Sequence, residues 1–210
     1  IVKKYSKRLY DTNIKDNYIL DMYDEINCNN NDFITLCYID LYTIGLLEKY
    51  DARWEKVYNA MDDILKEGYI SDDFPMYKSS YSYTSQDYRV GDINMIESTL
   101  TALNLARVGK CPEKTVEYLK ELINTGGIFA KYDNGGIKKS PTESTAIYAI
   151  CSLIAKEVKD EQMYRMCIDK MMSFQVNDEN SVVFGAFADP VTLALYSFDN
   201  LTALIAYSQR

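Results

Sequence analysis

Apolar residues recur with helical spacing almost from end to end of the chain, and they do so in two styles. In residues 52–67, Trp54, Val57, Tyr58, Met61, Ile64 and Leu65 fall on one face, with Asp51 placed as an N-cap and Gly68 as a stop. Residues 113–124 repeat this with Val116, Leu119, Leu122 and Ile123, and Pro112 at the first turn. Residues 160–174 do so with Met163, Met166, Cys167, Met171 and Phe174. The second style is apolar nearly all round, in residues 93–108 and 146–158, and less strictly in 40–49 and 198–207. A one-sided helix covers the outside of a core, whereas one apolar all round is buried on every side. The pattern therefore predicts an all-α fold in which inner and outer helices alternate, with one more outer helix over residues 1–10.

A weak repeat supports this. Glu97-Ser98-Thr99 returns as Glu143-Ser144-Thr145, and Thr99-Leu100-Thr101-Ala102-Leu103 is echoed by Asn200-Leu201-Thr202-Ala203-Leu204. A period of about 50 residues with two helices per unit signals an array of helical hairpins. Short links such as Gly109-Lys110-Cys111 make the two helices of each hairpin antiparallel, so all inner helices run the same way and their N-termini share one rim. Long connections lead into that rim, at about 68–91, 125–141 and 175–197. They carry Tyr77, Tyr81, Tyr83, Tyr88, Phe129, Tyr132, Phe184, Phe187 and Tyr196, a composition unlike flexible linker.

Composition narrows the chemistry. The 210 residues suit one domain or part of a larger one, and a net charge of −8 disfavours nucleic acid and anionic membranes. No stretch approaches the ~20 apolar residues of a membrane span. Histidine is absent, which removes Ser-His-Asp and Cys-His catalysis and HExxH zinc sites. Nothing in the sequence asks for a metal or a cofactor. The five cysteines form no CxxC pair, and three of them (Cys37, Cys151, Cys167) lie in apolar stretches as small hydrophobes.

Carboxylates and tyrosines remain. Asp40, Asp92, Glu97, Glu143 and Asp199 stand at the inner-helix starts, beside Ser140, Thr142, Ser144 and Asn200. One reading is a carboxylate-lined cleft walled by aromatic rings, since glycoside hydrolysis needs a carboxylic acid and a second carboxylate, and rings match pyranose faces. The other is plain capping, because Asp, Ser and Thr satisfy orphan N–H groups at helix starts. Ser140-Pro141-Thr142-Glu143 itself reads as a capping box with proline at the first helical position.

Four segments recur in an order that resembles a known family: Ile39-Asp40-Leu41, Ile93-Asn94-Met95-Ile96-Glu97-Ser98, the run SPTESTAIYA at 140–149, and Tyr196-Ser197-Phe198-Asp199-Asn200-Leu201. Over about residues 34–209 the chain resembles the bacterial glycosidases related to glycoside hydrolase family 8, which fold as (α/α)6 toroids. That resemblance implies a single toroid domain over 1–210, incomplete at its N-terminus and forming the C-terminal two-thirds of a larger catalytic domain. It implies an inverting hydrolase of α- or β-1,4-glucan-type chains, with an oligosaccharide or polysaccharide as partner. It also implies a monomeric protein, secreted or on the cell surface.

By position in those motifs, Asp40 corresponds to the family's sugar-contacting Asp and Glu143 to its base, with Glu in place of Asp and without the Arg that commonly follows. Glu97, Asp199, Asn200, Asp92, Tyr81, Tyr83, Tyr88 and Tyr196 would bind substrate. The family's general acid sits on a helix that would precede Ile1. A non-catalytic glycan-binding toroid and an α-solenoid scaffold are the alternatives.

Overall fold

A computed structural model describes residues 1–189 and 192–209. Positions 190, 191 and 210, which fall in the expected 175–197 connection and at the end of the 1–210 domain, lie outside the described residues. Eight helices appear among those residues: α1 (Val2–Asn13), α2 (Leu41–Glu48), α3 (Trp54–Glu67), α4 (Met95–Ala106), α5 (Glu113–Thr125), α6 (Thr145–Glu157), α7 (Glu161–Met172) and α8 (Ser197–Tyr207). All eight were expected. Between them run nine short strands: β1 (Ile14–Lys15), β2 (Tyr18–Ile19), β3 (Tyr23–Asp24), β4 (Asn29–Asn30), β5 (Phe33–Thr35), β6 (Ser80–Ser82), β7 (Asp87–Tyr88), β8 (Ile93–Asn94) and β9 (Lys131–Tyr132).

The alternation of layers follows the hydrophobic pattern. α6 is buried without interruption from Thr145 to Ser152, because α4, α7 and α8 surround it. α4 buries Met95 and most of Ser98–Ala106. The outer helices α3, α5 and α7 each bury one face, led by Met61 and Leu65, Leu119, and Met163 and Met171. Tight links fix the hairpins: Gly109 turns the chain after α4 at φ +69°, and Lys159 does so after α6 at φ +61°. At the second link Asp160 caps α7, accepting from Met163 N at 2.9 Å, and also pairs with Lys120 of α5 at 2.6 Å.

α2 and α8 depart from the all-round burial that their sequences suggest. Only Leu41 and Ile44 are buried in α2, and only Thr202, Ala203 and Ala206 in α8. Leu201, Leu204 and Ile205 are 59%, 62% and 53% exposed. The reason is position: these two helices end the row of inner helices, so each has an inner neighbour on one side alone. α1 buries little beyond Ser6, whose hydroxyl accepts the Trp54 indole N–H at 2.9 Å.

Four sequence expectations need correction. The long connections are not without structure: 68–91 holds the β6–β7 hairpin, and β9 in the 125–141 connection pairs with β8. α4 begins at Met95 rather than 93, because Ile93 and Asn94 belong to that pairing. The segment 140–143 is not a capping box, since α6 starts only at Thr145 with Ser144 as its cap. Likewise Asp51 lies one turn before α3, whose N-cap position is Arg53. No helix among the described residues is long and apolar enough to cross a membrane.

Two stability outcomes follow from this packing. Ile150→Ala in α6 is expected to cost about 2–5 kcal/mol, while Leu201→Ala on α8 should stay within about 0.5 kcal/mol; urea unfolding compares them. Equal costs would mean that the outer side of α8 is covered. The second concerns acid. The Lys120 ammonium and the Met163 N–H hold the Asp160 carboxyl below its usual pKa. A depressed folded pKa gives stability that is present above the unfolded value of about 3.9 and is lost as pH falls through the folded one. Asp160→Asn should therefore flatten the acid limb of a Tm-against-pH curve below about pH 4.

Candidate functional site

Three of the inner helices, α4, α6 and α8, bring their first turns or caps to one cavity through Ile96, Ser144 and Asp199. Asp40 caps α2, accepting from Thr43 N at 3.2 Å and Thr43 Oγ1 at 2.6 Å. Asn94 caps α4, and Glu97 in its first turn takes the Ser79 hydroxyl at 2.6 Å. Ser144 caps α6. Asp199, in the first turn of α8, accepts from Ser144 Oγ at 2.6 Å and from Ala146 N at 2.9 Å, so a residue of one inner helix completes the cap of the next.

Glu143 immediately precedes that cap. It is held in an extended segment bridged to Phe129 rather than in a helix. Its Oε2 accepts the Tyr148 hydroxyl and pairs with Lys170 of α7 at 3.2 Å. Oε1 has the longer 3.5 Å approach of Lys170. The Tyr148 hydroxyl in turn accepts from Ile128 N at 2.8 Å, and its ring stacks on Phe174 with centroids 5.7 Å apart. Burial, reinforced by the bond to Glu143, pushes the Tyr148 phenol well above its ordinary pKa, so it stays a donor at any working pH. Gly127 makes room for this arrangement: a Cβ there would stand 2.3 Å from Glu143 Oε2 and 2.7 Å from Tyr148 Oη.

Glu143 and Asp199 line one open cavity of about 930 Å3, together with Ile96, Phe174, Phe187 and Tyr196. Tyr196 is 67% exposed at its edge. Of the expected site residues, this cavity gathers Glu143, Asp199 and Tyr196. Asp40 and Glu97 lie outside its lining. Ahead of α2, the Cys37 carbonyl accepts from the Asn104 amide of α4 at 3.0 Å, and the Cys37 thiol is pushed up to about 12 by burial and by the charges of Glu97 and Asp21. Asp92 is exposed before β8. Asn200 spends its amide on the backbone of Phe187, donating to O at 2.9 Å and accepting from N at 3.0 Å, and so pins the 175–189 segment to α8.

The tyrosine wall is placed differently from the expectation. Tyr88 is buried, and its hydroxyl donates to Ile64 O at 2.5 Å at the end of α3. Tyr83 donates to Ile19 O, and Tyr81 packs between Tyr83 and Tyr88 at 5.7 and 4.9 Å. These rings build the β5–β6–β7 sheet, and none lines the Glu143 cavity. Sequence reasoning missed Lys170, Tyr148 and Gly127 as neighbours of Glu143. A signal for Lys170 existed: it lies seven residues after Met163 and four before Phe174, a lone cation on the apolar face of α7. Tyr38 and Tyr42, both exposed on either side of Asp40, were also missed. Among the described residues no group of His, Cys, Asp and Glu is placed to hold a metal ion.

No protein-family model matches the sequence. No curated protein matches it either. Among solved structures, the chain is similar to an alpha-amylase from Clostridium perfringens, with a TM-score of 0.91 and 31% identity over 97% of this chain and 62% of that one. The fold is a glycosidase-like toroid. More distant structures share it: PssZ from Listeria monocytogenes, with a TM-score of 0.73 and 15% identity over 99% of this chain and 60% of that one, and a beta-1,3-1,4-glucanase from Paenibacillus sp. X4, at 0.68 and 10% over 97% and 58%. The chain spans about three-fifths of each of these structures. Its helices thus take the place of a substantial part of a glycosidase toroid of the (α/α)6 type.

The Gly127 cradle gives a direct test. Gly127→Ala would place a methyl group against both site oxygens at a φ of +124°. Destabilisation of more than about 1 kcal/mol is expected, with Tyr148→Phe milder because it keeps the ring stack. A crystal structure of Gly127→Ala with Glu143 still on Lys170 would contradict the cradle.

Proposed function

We propose that this toroid carries the glycan cleft and the catalytic base of a glycoside hydrolase acting on a glucan-type chain with inversion at the anomeric carbon. One observation carries the reading: two carboxylates, Glu143 just before α6 and Asp199 in the first turn of the adjacent α8, share a cavity edged by Tyr196, Phe174 and Phe187. The likeness to an alpha-amylase at 31% identity supports the class of substrate. In this proposal Glu143 is the base. Tyr148 donates to Oε2 and Lys170 pairs with both oxygens, closer to Oε2, fixing the carboxylate; Oε1, held by the longer 3.5 Å approach alone, keeps a lone pair for the water that attacks the anomeric carbon. An inverting site needs this base and an acid about 6.5–9.5 Å apart on opposite faces of the bond. The acid is assigned, on the family resemblance, to a Glu on another inner helix of the toroid. Tyr196 offers a flat face to a pyranose ring. Asp40, between Tyr38 and Tyr42, is proposed to contact the sugar at the cleavage point.

The second reading is a glycan-binding toroid without catalysis. The ion pair of Glu143 with Lys170 favours it, because a strut between α7 and the rim would look the same. Turnover separates the two. In the intact enzyme Glu143→Gln is expected to lower the rate of reducing-end release at least about 100-fold, with oligosaccharide affinity within about threefold of the parent. Normal turnover by Glu143→Gln would leave Glu143 a strut and make Asp199 the next base to test. Asp40→Asn should weaken both affinity and turnover.

A further inference from the structure

A second hollow, of about 590 Å3, opens where three β-hairpins converge ahead of α2 and α4. Tyr18 comes from the β1–β2 hairpin, Asn29 from β3–β4, and Tyr83 and Gln86 from β6–β7. It shares no lining residue with the Glu143 cavity. Each hairpin turn places a non-glycine residue in the left-handed region beside the hollow: Asp16 at φ +53°, Cys28 at +48° and Gln86 at +54°. A tight two-residue turn accounts for Asp16. Cys28 and Gln86 hold side chains where glycine would be cheaper, and in both cases the hollow is next to the residue.

The lining has the chemistry of a sugar site. The Tyr18 ring is 37% exposed and is backed by the Tyr83 ring, with centroids 5.0 Å apart. The Tyr83 hydroxyl is committed to Ile19 O, and burial pushes its phenol well above its ordinary pKa, so it serves as a fixed support. Asn30 and Asn31 are tied to the backbone through Thr12 O at 2.8 Å and Met22 N at 3.3 Å. The amides of Asn29 and Gln86 make no hydrogen bond among the described residues, which leaves both donors and acceptors for a ligand. Lys15, Asp16 and Asp32 line the hollow with a formal balance of −1, so it has no strong field for an ionic ligand. An aromatic ring with free amides around it and little net charge matches the apolar C–H face and the ring of hydroxyls of a neutral pyranose.

We propose that the three-hairpin hollow is a second oligosaccharide position, in which Tyr18 stacks on a neutral pyranose and Asn29 and Gln86 bond its hydroxyls. The ligand class rests on the reading above of the chain as a glycan-acting protein; the location does not.

Calorimetric titration of the chain with maltoheptaose, cellohexaose and xylohexaose tests it, on the parent, Tyr18→Ala and Tyr196→Ala, with thermal melts to confirm folding. The expected result is binding of at least one probe at two positions. Tyr18→Ala then weakens one of them about tenfold and leaves the other within twofold, Tyr196→Ala does the reverse, and Tyr18→Phe restores the parent isotherm. A single position lost in Tyr18→Ala and kept in Tyr196→Ala also supports the hollow, and counts against the cleft. Binding lost in Tyr196→Ala but unchanged in both Tyr18→Ala and Asn29→Ala overturns the hollow and leaves the glycosidase reading in place. No binding of any probe overturns both.

Discussion

The hydrogen bonds from Ser144 and Ala146 to Asp199 hold the rim together. α6 is surrounded by apolar side chains, so its first-turn N–H groups can be met only by neighbours at the rim. Ser144 meets the Ala146 N–H from the N-cap of α6 itself, and Asp199 meets it from α8. This shared cap places a carboxylate of α8 within reach of the start of α6, and Glu143 lies one residue before it. The capping reading of the sequence and the site reading are therefore not rivals here. Asp199 caps a neighbouring helix, and for that reason it stands in the cavity.

The layered fold was legible because burial and periodicity are coupled. α3, α5 and α7 bury one stripe, and their sequences show one stripe. α4 and α6 bury nearly everything and read as apolar all round. The same logic over-reached at α8, where Leu201, Leu204 and Ile205 look like core in sequence but face outward at the end of the row. A helix's sequence records what it is suited to pack against, whereas the structure records what is there. The nine strands were harder to see. Most have two residues, too short for alternation to register, and their hairpins are set by turns such as Asp16-Asn17 rather than by apolar pattern.

The candidate site was legible in part. Short links force the inner N-termini onto one rim, so Glu143, Asp199 and Tyr196 could be grouped from spacing alone. What spacing could not give is which groups cross between layers. Lys170 reaches Glu143 from α7, and Gly127 matters only because of what a Cβ would strike. Both depend on distances between elements remote in sequence. The tyrosines at 81–88 show the converse: grouped in sequence with the Glu143 cleft, they stand away from it, Tyr88 anchored to α3 and Tyr83 to β2, with Tyr81 and Tyr83 beside the separate hairpin hollow.

The grip of Lys170 on Glu143 changes what the carboxylate moves with. A side chain at the mouth of a cleft ordinarily drifts with the loop that bears it. Here the loop residue is moored to α7, and α7 is packed along α6 by Met163, Cys167 and Met171, all fully buried. The carboxylate is therefore referenced to the most extensively packed pair of helices among the described residues rather than to the connection that bears it. The cleft walls can open and close around a charge that keeps its station.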